Sequence, residues 1–424
     1  MFHIFDKEKL KDFGNKEKMA FSSLLKWCIA AAGLGVGLGF TGVLFYKLLH
    51  FVTELRLGHT WMLFLLPFAG LIIVWLYNVS GEGTNSGTNV VLSAIQAGER
   101  LPFRVAPLVF ISTIITHMFG GSSGREGAAL QIGGAIGNWI GGLFKLDEKD
   151  KHVLIMCGMS ACFSALFGTP AAAAIFSLEV ISIGVMYYAA LVPCVLSALI
   201  AKGIVKIFDV EVVKFDLGII PTLDLPGGLK LIVLGAIFAG VSVLFIVILQ
   251  SSNTLFTKYF KNPYIRIFAA GWIIVGLSLL LRTNDYLGAS AELISIGIVT
   301  SSAWYVFLLK IVFTSITLGS GFKGGEIVPS LVVGATLGSF LAPLFHIPLP
   351  VCVACGMVSV FCGVTNSPIT SFVLSIEMFG TGPMYYCIIS IAVSYLLSEY
   401  YSLYKSQKIV YSKYKTTYIN RKCR

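Results

Sequence analysis

Charged residues are scarce in this sequence. Asp, Glu, Lys and Arg together make up 12% of the 424 residues, whereas 56% are hydrophobic and the mean hydropathy is +0.84. Soluble globular domains carry about 25% charged residues, so the composition excludes that class. The long apolar stretches predict an all-α polytopic membrane protein, because helices satisfy their own backbone hydrogen bonds in lipid.

Catalytic and cofactor motifs are also missing. The sequence has no HExxH zinc motif, and no GxSxG or GxGxxG match in it follows a predicted strand, as a nucleophile elbow or a dinucleotide fingerprint requires. Its nine cysteines are scattered, and the CxxC of Cys352 and Cys355 has no second pair or nearby histidine. We therefore predict no enzyme activity, no cofactor and no metal site. An intramembrane enzyme would need a nucleophile–base pair or a metal cluster. A membrane scaffold or receptor would leave the glycine breaks described below unexplained.

Acidic residues are fewer than basic ones, and the basic excess lies at the two ends. The net charge is +10, with lysines in the first 26 residues and Lys and Arg again beyond Tyr404. Positive flanks favour the cytoplasm, which predicts two cytoplasmic termini and an even number of crossings of the inner (cytoplasmic) membrane. We interpret these charges as topology and lipid-contact signals rather than as a nucleic-acid site. The first apolar run starts too late and is too long for a cleavable signal peptide.

Uninterrupted spans of about 20 apolar residues are few. Three glycine-containing breaks precede apolar helices, at Gly83–Ile95, Gly121–Gly134 and Gly319–Gly334. Broken helices at membrane depth are tolerated where they line an enclosed cavity, and they point to the binding site of a transporter. Each break aims helix-start N–H groups that favour an anion. We therefore predict an anion site here, to which Ser86 or Thr88 adds a hydroxyl donor.

Two of these breaks contain a glutamate, Glu126 and Glu326. Ionisable groups at membrane depth are costly, and they mark transport paths or proton relays. A carboxylate at a helix start occupies the place of an anion and is neutralised by a proton. Proton occupancy and anion occupancy are then coupled, so the pattern predicts an anion–proton transporter.

The chain contains a weak internal repeat. The spacing from Pro170 to Glu179 equals that from Pro368 to Glu377, roughly 200 residues later. The segment that begins at Gly124 is echoed by the segment from Gly324 at nearly the same offset. Two matches at one offset indicate duplication, and such halves are often inverted in the membrane with the site where they meet. The predicted organisation is a first repeat with a basic N-terminus (1–208), a loop (209–228), a second repeat (229–404) and a short basic cytoplasmic tail (405–424).

Several motifs resemble one family. GREG followed by QIGGAIG, LKIVFTSITLGSGFKGGEIVP and NSPITSFVLSIEMFG are similar to blocks of the CLC family of chloride channels and anion–proton antiporters, in the family's order. The resemblance runs from about residue 30 to about residue 408. It implies an inverted-repeat bundle with many tilted and broken helices, a buried anion path and a homodimer of independently conducting subunits.

The resemblance also assigns roles to residues. Glu126 matches the family's gating glutamate, and Ser86 matches its anion-coordinating serine. Ile327 stands at the position whose N–H faces the anion, and Tyr404 resembles the tyrosine that closes the site from inside. The gating and proton residues are thus Glu126 and Glu326. The anion-binding residues are Ser86, Gly87, Thr88, Gly127, Ile327 and Tyr404.

Departures from the general motifs indicate a branch. Ala128 and Asn89 stand where the family has proline, Val180 replaces the internal proton-transferring glutamate, and Glu326 replaces an apolar residue. These features resemble the fluoride-transporting bacterial branch. We therefore predict a fluoride–proton antiporter that exports fluoride. A chloride–proton antiporter or passive anion channel of the same fold is the alternative, and Ser86 is the residue that favours it.

Other ionisable residues near the motifs receive structural interpretations. Glu179 and Glu377 occupy equivalent repeat positions and are expected to satisfy backbone donors or to face the cytoplasm rather than to carry protons. His117 is expected to be a hydrogen-bonded packing residue, and Arg125 to orient its neighbours or face the vestibule. Lys323, beside a helix start, either raises the local anion concentration or is merely exposed.

Overall fold

The computed structural model describes residues 7–83, 87–210 and 214–423. Sixteen helices account for most of this part of the chain. They are α1 (Lys7–Gly58), α2 (Leu66–Val79), α3 (Thr88–Ala97), α4 (Val105–Met118), α5 (Glu126–Leu143), α6 (Glu148–Phe167), α7 (Pro170–Glu179), α8 (Leu191–Ile207), α9 (Leu225–Tyr259), α10 (Pro263–Leu281), α11 (Glu292–Val299), α12 (Val306–Ser320), α13 (Ile327–Phe345), α14 (Leu349–Thr365), α15 (Pro368–Phe379) and α16 (Met384–Leu397).

Three short strands and two 3₁₀ turns complete the described elements. The turns are Thr60–Leu65 and Tyr188–Ala190, and the strands are β1 (Ser182–Ile183), β2 (Lys408–Tyr411) and β3 (Tyr418–Lys422). Strand β2 lies between the others, parallel to β1 and antiparallel to β3. The all-α fold class is confirmed, since the strands are short and only join the tail to the helical body.

Seven helical segments of the described chain are long and apolar enough to cross a membrane. In helices α6 and α13, 83% of the most apolar 18 residues are buried inside the protein. In α1 and α9 the corresponding share is only 44%. Helix α9 has 35 residues, or about 50 Å at 1.5 Å per residue, which exceeds a hydrocarbon core of about 30 Å. A helix of that length must tilt or extend beyond the lipid. Several other apolar helices are too short to span alone, as the glycine breaks predicted.

Equivalent helix pairs in the two halves pack through equivalent glycines. Gly133 on α5 lies directly against the backbone of Gly158 on α6, where a Cβ would collide with its carbonyl oxygen. Gly334 on α13 lies in the same way against Gly356 on α14. Small residues allow membrane helices to approach closely, so both halves use one packing solution. The duplication seen in the sequence therefore extends to the packing.

The short helices α7 and α15 cap each other's first turn. The Glu179 carboxylate, at the end of α7, accepts hydrogen bonds from Ile369 N at 3.0 Å and Thr370 N at 2.8 Å. The Glu377 carboxylate, near the end of α15, accepts from Ala171 N at 3.2 Å and Ala172 N at 2.8 Å. The expectation that these glutamates satisfy backbone donors is confirmed. Because each helix ends beside the start of its counterpart, the two run antiparallel, as an inverted repeat requires.

The C-terminal tail is folded onto the helical body through Gln407, which is fully buried. Its amide nitrogen donates to the carbonyl oxygens of Val180 and Thr365, both at 2.9 Å. Its Oε1 accepts from Asn366 Nδ2 at 3.1 Å and from Ser402 Oγ at 2.8 Å. The sequence predicted only a short basic tail here, and the strands and this buried amide were not anticipated.

Lys413 fixes the tail at a second point. Its Nζ donates to Asn366 Oδ1 at 2.5 Å, Tyr395 O at 2.9 Å and Ser398 Oγ at 3.1 Å. Burial lowers the pKa of Lys413 from 10.5 to about 8. The tail thus docks through polar contacts at the ends of α14 and α16, and its docking energy depends on the protonation of one lysine.

Candidate anion site

Two of the glycine breaks pair with each other in the interior of the protein. Gly124 N donates to Gly325 O at 2.6 Å, and Gly325 N donates to Gly124 O at 2.7 Å. These two hydrogen bonds form an isolated antiparallel bridge between the segment before α5 and the segment before α13. Glycine is required at position 325, because a Cβ there would lie 2.5 Å from the backbone nitrogen of Gly127. The bridge brings the starts of α5 and α13 together, as the repeat analysis predicted.

Glu126 begins α5 and is 1% exposed. Its Oε2 accepts a hydrogen bond from Arg125 N at 2.9 Å, and its Oε1 lies 3.4 Å from Arg125 Nε. Arg125 also donates to Leu166 O at 3.3 Å, and its guanidinium lies 4.9 Å from the Tyr46 ring centroid. The expectation that Arg125 orients its neighbours is confirmed. The carboxylate is thus held against its own helix start by a charge-assisted bond.

Glu326 occupies the position before the first residue of α13. Its side chain lies close to the Thr88 hydroxyl at the start of α3, and that hydroxyl is 3.5 Å from Gly127 O. It also lies against Gly127, where a Cβ would be 3.0 Å from Glu326 Oε2 and 3.4 Å from Thr88 Oγ1. Three helix starts, those of α3, α5 and α13, therefore converge on one small volume. Such a convergence of N–H groups and positive dipole ends favours an anion.

Two cavities approach this volume from different directions. One of about 450 Å³ is lined by Glu126, Arg125 and His117, and we call it the outer cavity. The other, of about 480 Å³, is lined by Glu326 and Thr88, and we call it the inner cavity. No residue lines both cavities among those that the structure describes. The two glutamates thus line different cavities.

Tyr404 is fully buried next to this volume. Its hydroxyl lies within electrostatic range of Glu326 and Glu126, and it has no hydrogen-bond partner among the described protein atoms. The Tyr404 backbone N–H donates to Ser402 Oγ at 3.1 Å. An unpaired buried hydroxyl is costly, which is consistent with a donor that is kept for a ligand.

Two further predicted residues lie nearby. Ile327 is fully buried as the first residue of α13, and Gly87 precedes α3 with a φ of +67°, which favours glycine. Ser86, the predicted anion-coordinating serine, lies outside the described residues. The anion-binding and proton roles assigned to the individual residues stay predictions.

Sequence reasoning did not single out Gln131, although QIGG belongs to the motif that it used. Gln131 is 5% exposed, lines the inner cavity and lies one turn after Gly127, to whose carbonyl oxygen its Nε2 donates at 3.2 Å. A Cβ built on Gly87 would lie 4.0 Å from the same nitrogen, so Gly87 is a neighbour of this amide. A side-chain amide with a second N–H therefore stands between the starts of α3 and α5.

Lys310 is the second residue that sequence reasoning missed. This lysine of α12 is fully buried, and its Nζ donates to Ser122 Oγ at 2.9 Å, Gly288 O at 2.8 Å, Ser290 Oγ at 2.9 Å and Tyr286 O at 3.3 Å. Four oxygens therefore satisfy its ammonium group. Because Ser122 belongs to the break before Glu126, Lys310 fixes that break to the loop before α11.

His117 supports the same break from the other side. Its Nε2 lies 3.3 Å from Gly124 O and 3.4 Å from Ser123 Oγ, and the residue is 4% exposed. The expectation of a hydrogen-bonded packing histidine is confirmed. The described residues contain no group of three or more His, Cys, Asp or Glu side chains arranged for a metal ion.

The helices are apolar and form two inverted halves, and two cavities approach each other at the paired helix starts. These features define a polytopic membrane transport protein. The sequence matches the family described as voltage gated chloride channel over residues 69–399. The chain belongs to this family, the CLC family.

Individual relatives agree with this assignment. A protein of Pseudomonas syringae pv. tomato described as a chloride/fluoride channel protein is 34% identical, over 92% of this chain and 88% of its own. The H(+)/Cl(-) exchange transporter ClcA of Salmonella arizonae is 27% identical, over 82% of this chain and 80% of its own. A crystal structure of a CLC-type fluoride/proton antiporter superposes with a TM-score of 0.88 at 35% identity, covering 91% of this chain and 98% of that one.

Proposed function

We propose that this protein is a fluoride–proton antiporter that exports fluoride, with Glu126 and Glu326 as its proton-binding residues. The observation that carries the proposal is that the two carboxylates meet at the glycine bridge while each faces a different cavity. Support for fluoride comes from the resemblance to the fluoride/proton antiporter and to the chloride/fluoride channel protein. The family's members are named as transporters and channels, which supports a transporter rather than an enzyme.

The choice of anion has a physical basis. Fluoride is small and strongly hydrated, so a dry site must replace its water with close, strong hydrogen-bond donors. A protonated Glu126 or Glu326 donates to fluoride, whereas an ionised one repels it. The Tyr404 and Thr88 hydroxyls and the helix-start N–H groups supply further donors. Fluoride in the centre then favours a proton on the neighbouring carboxyl, which couples the two ions.

The test uses purified protein in liposomes, with a fluoride electrode outside and a pH-sensitive dye inside. We expect an outward fluoride gradient to drive proton uptake in the wild type and not in Glu126→Gln, because an amide cannot carry the proton. Glu292→Gln is the matched control, since Glu292 is exposed and lines the same outer cavity. Proton uptake that persists in Glu126→Gln would remove the proposed role of Glu126.

Chloride transport is the second candidate. The ClcA relative is named as a proton/chloride exchanger, and Ser86 resembles the serine of chloride-carrying relatives. The same liposomes loaded with equal fluoride and chloride decide between them. Faster chloride efflux at equal gradients would exclude fluoride as the main substrate, and efflux of either anion without proton movement would indicate a passive channel.

The proposed setting is the cytoplasmic membrane, with both termini inside and two subunits in a homodimer. Lys26 forms an ion pair with Asp150 at the start of α6, and β2 of the tail pairs with β1, just after α7. Helices α6 and α7 are joined by a tight turn and pack against each other, so the start of α6 and the end of α7 point to one face. Both basic ends then lie on that face, as the positive-inside rule favours. Accessibility of introduced cysteines in intact cells tests this orientation.

A further inference from the structure

The hydrogen bonds that hold Tyr404 are made by its backbone. Its N–H donates to Ser402 Oγ at 3.1 Å, and its carbonyl oxygen accepts from Gln407 N at 3.0 Å. Its hydroxyl has no hydrogen-bond partner among the described protein atoms. The ring therefore extends from a fixed backbone, and the place of the hydroxyl depends on where that backbone lies. We call residues 402–407 the Tyr404 turn.

The side chain of Gln407 joins these backbone bonds to the rest of the protein. Ser402 Oγ donates to Gln407 Oε1 at 2.8 Å, so the hydroxyl that accepts from Tyr404 N is itself fixed by the amide. The Gln407 Nε2 donates to Val180 O and Thr365 O, both at 2.9 Å. Val180 follows α7 and Thr365 ends α14, so one buried amide ties the turn to both halves of the protein.

The Tyr404 turn also contacts a helix that starts at the anion site. Ser406 N donates to Asn89 Oδ1 at 2.9 Å, and the hydroxyls of Ser406 and Ser93 lie 3.0 Å apart. Asn89 follows Thr88, the first residue of α3. These contacts therefore join the turn to one of the three converging helix starts.

The folded tail covers Gln407. Cys423, directly after β3, donates from its backbone N to Gln407 O at 3.0 Å, and its Sγ lies 3.7 Å from Gln407 Oε1. Strand β2 begins at Lys408, the next residue, and Lys413 fixes the segment between β2 and β3 to the ends of α14 and α16. If the tail undocked, water would compete for the hydrogen bonds of this amide.

We propose that the folded tail is a strap that positions Tyr404, with Gln407 as the positioning residue. The proposal rests on the function proposed above and on the gate role that the resemblance gives Tyr404. Leu403 and Lys405, the neighbours of Tyr404, line the inner cavity, so the turn stands at its wall. A functional group must be held within about 0.5 Å of its working geometry. The strap keeps the backbone of Tyr404 in place while the ring turns. Without it the gate closes incompletely, and anions pass without protons.

The functional test is anion efflux from liposomes, measured together with proton movement. We expect Gln407→Leu to raise efflux without protons about tenfold, since a misplacement of about 1 Å changes rates by up to about 100-fold. Lys413→Met, which removes the second docking point, should act in the same direction. Gln96→Leu is the matched control, because the Gln96 amide donates to the neighbouring carbonyl of Ile181 from the other end of α3. Unchanged efflux in Gln407→Leu, or an equal rise in Gln96→Leu, would overturn the proposal.

A second comparison separates the positioning of Tyr404 from a general loss of structure. Tyr404→Ala removes the gate, so adding Gln407→Leu to it should change the uncoupled efflux by less than about twofold. A similar rise in both backgrounds would refute the positioning role. Gln407→Glu gives a second variant should Gln407→Leu fail to fold, because it keeps the size and one acceptor oxygen but loses both N–H donors.

The same measurements distinguish this proposal from the transport proposal. Efflux is recorded with fluoride and with chloride, and the variants are compared within each anion. An error in the choice of anion changes which of the two leaves faster in the wild type. An error in the strap changes the comparison of Gln407→Leu with Tyr404→Ala, whichever anion is used.

Discussion

Replacing Glu179 by glutamine tests whether the exchanged glutamates hold the two repeats together or carry protons. The Glu179 carboxylate is 7% exposed and accepts three hydrogen bonds, from Ile369 N at 3.0 Å, Thr370 N at 2.8 Å and Thr370 Oγ1 at 2.6 Å. Glutamine keeps one acceptor oxygen and turns the other into an NH₂ donor. That NH₂ group faces the backbone N–H groups at the start of α15. One hydrogen bond to the helix start is therefore lost, and two hydrogen-bond donors are left facing each other.

The magnitude follows from these contacts. A hydrogen bond to a charged group contributes about 1.5–3 kcal/mol, and the interaction of the carboxylate with the helix start adds about 0.3–1 kcal/mol. We therefore expect Glu179→Gln to lower the free energy of unfolding by about 2–4 kcal/mol. Glu377 is more exposed and accepts two hydrogen bonds, at 3.2 Å and 2.8 Å, so Glu377→Gln should cost about 1–2 kcal/mol.

The assay measures two quantities, the stability of the folded protein and its proton coupling. Denaturant titration in mild detergent measures the loss of stability, and liposome efflux of the surviving folded protein measures protons moved per fluoride. We expect the coupling ratio of Glu179→Gln to equal that of the wild type. A variant with wild-type stability and a lost coupling ratio would refute the structural interpretation and make Glu179 a proton carrier.

Two further predictions concern the bridge and the tail. Gly325→Ala should lower the free energy of unfolding by about 1–3 kcal/mol and abolish efflux, because its Cβ would lie 2.5 Å from Gly127 N. Gly240→Ala is the control and should change neither measurement, because its Cβ would meet no atom within 4 Å. Docking of the tail should strengthen as the pH rises from about 8 to about 9, because the docked Lys413, with its pKa near 8, releases a proton that the undocked tail still binds. Above pH 9 the effect reverses in sign for Cys423, because burial raises the pKa of its thiol to about 12 in the docked tail. Between about pH 8 and about pH 9, maleimide labelling of Cys423, divided at each pH by the rate for a free tail peptide, should therefore slow down; a rate that rises with pH in this range, or one that is unaffected by Lys413→Met, contradicts this account.

The sequence was sufficient to predict the helical membrane fold, the repeat and the pairing of Glu126 with Glu326. Each depends on local signals, namely apolar length, glycine breaks and matching spacing. The repeat even predicted that Glu179 and Glu377 are equivalent. It could not predict that each caps the other's helix, because that contact joins residues 190 or more positions apart.

Lys310 and the tail escaped prediction for a related reason. Lys310 is a single lysine in an apolar helix, and its four oxygen partners come from segments at least 20 residues away. The tail strands are short, and β1, with which β2 pairs, follows α7 in the other half of the chain. Gln407 carries no charge and belongs to no motif. Long-range polar contacts of this kind leave no periodic pattern in a sequence.

The bridge between Gly124 and Gly325 limits how the protein can alternate between its two cavities. It joins the repeats by two short backbone hydrogen bonds at the point where the ions would pass. If the halves rocked against each other, these bonds would break in an apolar interior at a cost of several kcal/mol in each cycle. We therefore expect the backbone to stay in place while side chains such as Glu126 and Tyr404 turn. Turnover would then depend on rotamer changes and proton transfer rather than on domain motion.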